Sequence, residues 1–316
     1  MKRFVITPEH ANSRLDLFLT EKMGECSRSQ IQKMIKEGAV TVDGKTVAPH
    51  RFLKEGDRVV IPALSSVIPA KAGIQTIPTE GRNSAVRISA PRMIAETPDY
   101  LIIEKPVGLV VHPGVKRERD TLVDWLLAHY PEIKKIGDDP LRPGIVHRLD
   151  KDASGVMVVA RTQDSFESLI RQFKLRQVKK EYMALVSGRV TPTDGVIDLP
   201  IGRSAKDYTK RAAHAKEGRS AITKYEVVDQ YKHTALVHVM PETGRTHQIR
   251  VHFFAKGNPI VGDSIYKQKK TKPAVAERLM LHAVLLGFRD LSGEWQEYRV
   301  EPSEEFETLV QRARTA

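Results

Sequence analysis

The sequence predicts an α+β protein in which a small N-terminal domain precedes a larger domain with a mixed, mainly antiparallel sheet flanked by helices. In the larger part, strand-like runs outnumber helix-like runs and do not alternate regularly with them, which favours this class over a doubly wound sheet. A stretch rich in Ala, Pro and Ser, without helical or strand periodicity, divides the two parts. We therefore predict domains at residues 1–62 and 91–316, with a linker or insertion at 63–90.

Composition favours a polyanionic partner. Lys plus Arg number 51 against 39 Asp plus Glu in 316 residues, a net charge of +12, although a surplus of surface charge without a partner gives the same balance.

The single cysteine, Cys26, cannot form an internal disulfide or a zinc cluster, which fits a reducing cytoplasm. The N-terminus lacks the apolar core of a signal peptide, and no run approaches the ~18 apolar residues that span a bilayer. We expect a cytoplasmic monomer with no membrane partner.

Two short helices and a small hairpin account for the N-terminal domain. Apolar residues from Leu15 onward have helical spacing, Ser27 begins a capping pattern for a second helix, and Asp43-Gly44 signals a hairpin. Basic residues on the polar helix faces suit contact with a nucleic-acid backbone, and an ordinary solvated face would carry the same charges. These candidates for RNA binding are Arg14, Arg28, Lys33 and Lys36.

Three motifs of this domain resemble the alpha-L RNA-binding domain, which occurs in a small-subunit ribosomal protein and in several RNA-modifying enzymes. The resemblance covers about fifty residues and implies that the N-terminal domain binds RNA. The motifs are Ser13-Arg14-Leu15-Asp16, Ser27-Arg28-Ser29-Gln30-Ile31 and Gly38-Ala39-Val40-Thr41-Val42-Asp43-Gly44-Lys45.

The second domain begins with a turn at 97–100 and a buried strand at 101–103. Apolar residues at helical spacing predict helices that begin near Leu122, after the capping pattern at Asp164, and near Phe306. Further short strands are predicted at 181–187, 195–199, 221–228 and 234–240. The irregular order of these strands and helices is the basis of the α+β prediction.

Four segments of the second domain place polar residues between apolar runs. One ends in the quartet His147-Arg148-Leu149-Asp150, which follows Ile145-Val146 and precedes the apolar run 156–160. That order predicts strand, loop and strand, with a carboxylate at a strand end. Loops held by rigid elements often carry functional acids, and a solvated turn with ordinary charges would show the same pattern. The four segments are 104–114, 147–150, 179–186 and 243–252.

Tyr182 and Arg245 each allow two interpretations. Tyr182 shares a strand face with Ala184 and Val186, so it is either a core residue with its hydroxyl at the rim or a proton donor or acceptor that faces a pocket. Arg245 follows Gly244 at a strand end, so it forms either a surface salt bridge or a fixed cation that keeps a carboxylate ionised.

The sequence lacks the patterns of several other chemistries. Neither a His-Glu-x-x-His pair nor a cysteine ligand set occurs, and a phosphate-binding Gly-x-x-x-x-Gly-Lys loop and a Gly-x-Ser-x-Gly elbow are also missing. We therefore expect no metal and no cofactor, although four histidines invite a metal interpretation: His112, His147, His247 and His252. Basic residues in the loop 203–219 and the run 267–272 suit contact with phosphates, or flexible solvated loops.

Together the four segments resemble the RluA-type pseudouridine synthases, which isomerise uridine in RNA. The resemblance runs from about residue 95 to 300 and is most specific at 147–159 and 243–250. An alpha-L domain ahead of this catalytic domain is the arrangement of the large-subunit ribosomal RNA branch, to which RluD and RluC belong. Ala153 departs from the family, which usually has Thr there, and we expect a local change in hydrogen bonding without loss of activity.

The resemblance implies roles for individual residues. Asp150 is the catalytic aspartate, Tyr182 lies against the uracil ring and assists proton transfer, and Arg245 pairs with Asp150. Arg148 enters the space that the uridine vacates when it leaves its stack. Further substrate-binding candidates are His147, Leu281 as the apolar pocket residue, and Arg250, which suits the pairing with Asp150 less well than Arg245.

The resemblance implies isomerisation of specific uridines to pseudouridine, with large-subunit (23S) ribosomal RNA as substrate. Two alternatives stay open at this point. One is a transfer-RNA pseudouridine synthase, and the other is a non-catalytic RNA-binding protein of ribosome assembly with the same fold. The presence of Asp150, Tyr182 and Arg245 together argues against the non-catalytic alternative.

Overall fold

The computed structural model divides the chain into two compact units, Met1–Asn83 and Ser84–Ala316. It describes residues 2–11, 13–23, 31, 34–35, 38–48, 51–61, 89–113, 119–205, 207, 210–215, 217–267, 276 and 278–315. The linker or insertion that we predict at 63–90 lies almost wholly outside the described residues, so it stays a prediction.

The smaller unit is a four-stranded antiparallel sheet beside helix α1. Its strands, in the sheet order β1-β4-β2-β3, are β1 Lys2–Val5, β4 Arg58–Ile61, β2 Thr41–Val42 and β3 Lys45–Thr46, and α1 is Leu15–Lys22. The predicted hairpin is present between β2 and β3. Asp43 and Gly44 have φ angles of 51° and 75° there, the left-handed values that a two-residue hairpin turn requires.

Burial of apolar side chains holds this small unit together. Leu15 and Leu19 of α1 are fully buried against Val42 and Val59 of the sheet, and Ile35 joins the same cluster. The predicted second helix depends on residues from Ser27 onward that mostly lie outside the described part of the chain.

The larger unit contains a mixed sheet of nine strands and a separate two-stranded hairpin. The strands are β5 Arg92–Glu96, β6 Tyr100–Lys105, β7 Ser154–Ala160, β8 Lys179–Ser187, β9 Asp194–Asp198, β10 Ile201–Arg203, β11 Arg211–Ala213, β12 Ile222–Gln230, β13 Thr234–Pro241, β14 Leu281–Arg289 and β15 Trp295–Arg299. The large sheet has the order β5-β6-β7-β14-β8-β13-β12-β9, with β15 paired to β14, and β10 and β11 form the hairpin. Only β7 and β14 run parallel among the described pairs. The observed architecture confirms the predicted α+β class.

Helices α2 Leu122–His129, α3 Gln163–Lys174, α4 Gln248–Lys256 and α5 Glu304–Thr315 accompany this sheet. Thr121 and Asp124 form a reciprocal capping box at the start of α2. The cap of α3 is Thr162, whose hydroxyl accepts a hydrogen bond from Ser165 N–H, and not the predicted Asp164. In the described ranges, no helix is long and apolar enough to cross a membrane.

The region before β7 differs from the predicted strand, loop and strand. Ile145 makes a single β-bridge to Val159, and the quartet 147–150 lies in an extended loop. Gly155 then lets β7 lie directly beside β14, because its φ is 120° and a side chain there would collide with the backbone of Ala283. This close approach brings the quartet next to the start of β14.

Candidate active site

Four parts of the larger unit converge on one small cavity of about 110 Å³. They are the quartet loop before β7, the middle of β8, the connection from β13 into α4, and the first residue of β14. Asp150, Tyr182, Arg250 and Leu281 all line the cavity, although 131 positions separate the first of them from the last in the sequence. The sheet order explains this convergence, because β8 and β14 are neighbours and β7 lies next to β14.

Arg250 is the cation that holds the Asp150 carboxylate. Its Nη1 donates to Asp150 Oδ2 at 3.1 Å, while Nε and Nη2 donate to both oxygens of Asp263 at 2.7 and 2.8 Å. The Arg250 residue is only 2% exposed. Burial alone would lower the pKa of Arg250, but the hydrogen bonds and charge of Asp263, followed by those of Asp150, raise it above its ordinary value. Arg250 is therefore a permanently charged and rigid partner for the acid.

The expected pairing of Arg245 with Asp150 is wrong. Arg245 lies in the connection before α4, where its backbone N–H donates to Gln248 Oε1 and its Nε donates to the carbonyl of Ser220 at 3.1 Å. Arg250, the third residue of α4, points inward and reaches the carboxylate instead. Arg245 lines the rim of the cavity, where burial, then the nearby charges of Arg219 and Arg176, lower its pKa.

Tyr182 and Leu281 provide the apolar side of the cavity. Ala283 of β14 pairs with Tyr182 of β8, and Leu281 pairs with Ala184, so the two strands place both side chains beside the cavity. Burial, then the charge of Asp150, raises the pKa of Tyr182 above its ordinary value. The phenol therefore keeps its proton at neutral pH and has it available to donate in a hydrogen bond.

Arg148 and His147 face different surroundings. Arg148 lines the cavity, is exposed, and donates from Nη1 to His112 Nε2 at 3.1 Å. The His147 ring instead stacks on Phe173, with centroids 4.7 Å apart, and its Nε2 accepts the backbone N–H of Val158. These contacts make His147 a support for the loop, and its binding of substrate stays a prediction.

Burial, followed by the charge of Lys180, lowers the pKa of His147 to about 3. The ring is therefore neutral at physiological pH, as its role of hydrogen-bond acceptor from Val158 N–H requires.

Lys105, which sequence reasoning did not propose as a site residue, fixes the loop that carries Asp150. Its ammonium group is completely buried and donates to the carbonyls of Pro106, Leu109 and Lys151 at 2.8, 2.9 and 3.0 Å. Burial lowers its pKa to about 7, although the charge of Asp150 acts in the opposite direction. The available signal was a lysine in the same predicted strand region, just after the apolar run 100–103 and Glu104.

His247 lies on the other side of the carboxylate and was considered only as a metal ligand. Its Nε2 is 4.0 Å from Asp150 Oδ1. Burial lowers its pKa, an effect that the charge of Asp150 opposes. No group of three or more His, Cys, Asp or Glu side chains suited to a metal ion occurs among the described residues.

Ala153 is buried where the resemblance leads us to expect a threonine. Its methyl group belongs to the same apolar cluster as Leu281, and its N–H donates to the Asp150 carbonyl at 3.2 Å. The next residue, Ser154, accepts from Arg278 Nη2 and donates to His282 Nδ1 at 2.6 and 2.8 Å. The loop after Asp150 is therefore held by backbone and Ser154 contacts that the alanine leaves intact.

Of the RNA-binding candidates in the smaller unit, the structure describes Arg14 alone. Arg14 donates from Nε and Nη2 to both oxygens of the buried Asp16, at 3.1 and 3.0 Å, and keeps 35% of its side chain exposed. Arg28, Lys33 and Lys36 lie outside the described residues, so their role stays a prediction.

Several known proteins are similar to this chain. The RNA pseudouridylate synthase family matches residues 99–255, and the S4 domain family matches residues 13–59. The chain is 40% identical over 311 residues to an RNA pseudouridine synthase of Aquifex aeolicus, which covers 95% of this chain and 94% of that one. It is 38% identical over 307 residues to ribosomal large subunit pseudouridine synthase D of Xanthomonas campestris, covering 93% and 87% of the two chains. The solved structure of human RNA pseudouridylate synthase domain containing 4 has a TM-score of 0.57 and 27% identity, over 71% of this chain and 93% of that chain.

Proposed function

The chain belongs to the RNA pseudouridine synthase family, and from this premise we propose that it isomerises particular uridines of large-subunit ribosomal RNA to pseudouridine. Relatives from Xanthomonas campestris and Nitrosomonas europaea, at 38% and 36% identity, are ribosomal large subunit pseudouridine synthases, which supports this class of substrate. The observation that carries the proposal is the Asp150 carboxylate, held by the buried Arg250 beside Tyr182 and Leu281 in one cavity.

Asp150 acts on the bond between ribose and the ring nitrogen N1 of uracil. Its carboxylate serves as the nucleophile or stabilises the positive charge that develops on the sugar when this bond breaks. The freed ring turns and rejoins the ribose through C5, which loses its proton while N1 gains one, so the product is an isomer. Arg250 keeps Asp150 ionised throughout, because a neighbouring fixed cation favours the charged form of a carboxylate.

Tyr182 and Leu281 hold the uracil ring during this turn. Leu281 gives the flat ring an apolar surface, and the protonated Tyr182 phenol donates a hydrogen bond or a proton to it. Taking a base out of its stack costs a few kcal/mol. The exposed guanidinium of Arg148, beside the cavity, is placed to fill the space that the base leaves in the RNA.

The rim of the cavity is suited to the RNA backbone. Arg245, Arg219 and Arg176 lie close enough for their like charges to lower the pKa of Arg245, so a phosphate there relieves repulsion as it binds. The S4 domain at residues 13–59 supplies a second RNA-binding surface. We propose that the enzyme acts as a monomer on ribosomal RNA in the cytoplasm.

Mapping of pseudouridine in ribosomal and transfer RNA tests the proposal. We expect the wild-type gene, but not an Asp150→Asn variant, to restore particular pseudouridines of large-subunit RNA in cells that lack the gene. Asp152→Asn is the matched control, since it changes a nearby carboxylate that does not line the cavity. An Asp150→Asn variant that restores the modification would exclude this residue as the catalytic acid. Pseudouridine gained in transfer RNA alone, or an unchanged map, would contradict the proposed substrate or activity.

A further inference from the structure

Asp263 and Tyr266, which follow α4 in the chain, contact Arg250 and hold it in place at the cavity. The buried carboxylate of Asp263 receives two donors from Arg250, and it also accepts the backbone N–H groups of Ile265 and Tyr266 at 2.8 and 2.9 Å. The Tyr266 ring lies 5.3 Å from the guanidinium carbon of Arg250, within the range of a cation–π contact. This segment therefore fixes the cation that holds Asp150.

The Tyr266 hydroxyl joins two parts of the larger unit. It accepts the backbone N–H of Arg211, on β11 of the β10–β11 hairpin, at 3.0 Å. It also lies 2.9 Å from His247 Nδ1. This oxygen accepts the Arg211 N–H and keeps one proton of its own, which is available for donation to the lone pair of Nδ1. With Nδ1 as the acceptor, the proton of a neutral His247 ring lies on Nε2, the nitrogen that is 4.0 Å from Asp150 Oδ1.

The backbone of His247 is held in an uncommon conformation. Its φ is 58°, in the left-handed region, at the N-cap position directly before α4. A non-glycine residue adopts this region at a cost of ~1 kcal/mol or more and keeps it where its surroundings determine it. This conformation and the Tyr266 hydrogen bond together direct the His247 ring at the carboxylate.

We propose that Tyr266 and His247 are positioning residues that couple the β10–β11 hairpin to the Asp150 carboxylate, an inference that rests on the proposed uridine isomerisation. Arg250 donates to Asp150 Oδ2, and His247 Nε2 lies 4.0 Å from Oδ1, so the two groups flank the carboxylate and limit its rotation. The hairpin carries Arg203 and Arg211, which suit RNA phosphates. RNA that binds the hairpin fixes the position of the Arg211 N–H. Because the Tyr266 hydroxyl is hydrogen-bonded to Arg211 and to His247, it then fixes the His247 ring.

The tautomer of His247 tests the first step in the free, full-length enzyme. We expect ¹⁵N spectra of histidine-labelled protein, assigned with a His247→Gln variant, to show the proton on Nε2 in the wild type. In Tyr266→Phe, which lacks the donor to Nδ1, both tautomers should be populated. A wild-type His247 that carries its proton on Nδ1, or a spectrum that Tyr266→Phe leaves unchanged, would overturn the proposal. This measurement does not depend on the reaction that the enzyme catalyses.

Single-turnover kinetics test the coupling. Tyr266→Phe removes the hydrogen bonds to both His247 and Arg211. We expect it to lower the rate at saturating RNA about tenfold or more, with the RNA concentration at half saturation within about twofold of wild type. Tyr298→Phe is the control, because it removes a similar hydroxyl, hydrogen-bonded to Tyr100 outside the cavity, and should leave the rate unchanged. Equal losses in the two variants, or no loss in Tyr266→Phe, would contradict the coupling.

A pair of His247 variants separates positioning from packing. The amide nitrogen of glutamine lies near the place of Nε2, so His247→Gln should keep the rate within about threefold, whereas His247→Ala should lose about tenfold or more. Equal losses would overturn the role of the Nε2–H donor. A wild-type enzyme without isomerase activity would instead contradict the proposed function and leave the tautomer result standing.

Discussion

At the scale of the residue, one carboxylate is surrounded by groups whose charge states are set by burial and by one another. Arg250 stays charged because Asp263 and Asp150 offset its burial. Tyr182 stays protonated because burial and the charge of Asp150 both act against its ionisation. The acid therefore shares its cavity with a fixed cation and a neutral phenol, which suits the proposed reaction at the sugar.

Substitution of Arg250 and substitution of Arg245 should affect different quantities, the rate and the RNA affinity. Arg250→Lys keeps the charge but cannot contact Asp150 and Asp263 together, so we expect the single-turnover rate at saturating RNA to fall tenfold or more, about 1.4 kcal/mol. Arg245→Ala should instead weaken RNA binding and reduce the slope of log affinity against log salt by about one. Kinetic titrations at several salt concentrations measure both effects. A loss of rate at saturation in Arg245→Ala alone would restore the pairing that the structure contradicts.

Lys105 should make stability depend on pH. Its pKa is about 7 in the folded protein and near its ordinary 10.5 when unfolded, so between these values the unfolded state binds one more proton. The contribution of Lys105 to stability is therefore smallest below pH 7 and grows as the pH rises above 7. Urea unfolding from pH 7 to 9.5 should show a steeper rise for the wild type than for Lys105→Met. Identical slopes would mean that Lys105 is charged when folded.

At the scale of the element, the site depends on the parallel contact between β7 and β14 in a sheet that is otherwise antiparallel among its described pairs. The contact holds the quartet loop beside Leu281 and is possible because Gly155 has no side chain. The Lys105 ammonium group then ties the end of β6 to the carbonyl of Lys151 in the same loop. The position of Asp150 is thus determined by two strand ends and not by the loop alone.

Gly155→Ala should disturb this contact. We expect a loss of ~2 kcal/mol or more in the free energy of unfolding, because the new methyl group collides with the Ala283 backbone at a positive φ. Gly293→Ala is the control, since Gly293 has a φ of 85° with open space around it and should cost only ~1 kcal/mol. Denaturant unfolding compares the two. Equal losses would show that backbone strain alone, without the collision, accounts for the effect.

Sequence patterns predicted much of this arrangement and missed the parts that depend on long-range geometry. The strands around Tyr182 and the carboxylate at Asp150 follow from local alternation and from the four polar segments. The choice between Arg245 and Arg250 does not, because both lie at the boundary of a loop and a helix, and only the helix direction decides which one points inward. Tyr266 gave no signal, since its partners His247 and Arg211 lie 19 and 55 positions away in the chain.

At the scale of the whole molecule, we propose that the smaller unit binds RNA and that the larger unit carries the chemistry together with its own RNA-binding rim. The S4 domain matches residues 13–59, while the cavity is built entirely from the larger unit. The net charge of +12 gives the chain a general attraction to RNA. Which uridines are modified then depends on the shape of the RNA, that is, on its grooves and loops, more than on charge.

Deletion of residues 1–62 tests this division. The shortened protein should bind RNA more weakly than the full chain, while its single-turnover rate at saturating RNA stays within about threefold, because the cavity lies wholly in the larger unit. Filter binding and single-turnover kinetics on the same RNA measure the two quantities. Unchanged affinity would exclude an RNA-binding role for the deleted part.

The central claim is that Asp150, held by Arg250, breaks the bond between ribose and uracil and lets the ring rejoin through C5. Release of tritium from [5-³H]uridine in large-subunit RNA measures this reaction directly, because only the rejoining at C5 frees that hydrogen. The wild-type enzyme should release tritium, and Asp150→Asn should bind the same RNA with an affinity within about twofold and release none. Tritium release by Asp150→Asn at the wild-type rate would contradict the account.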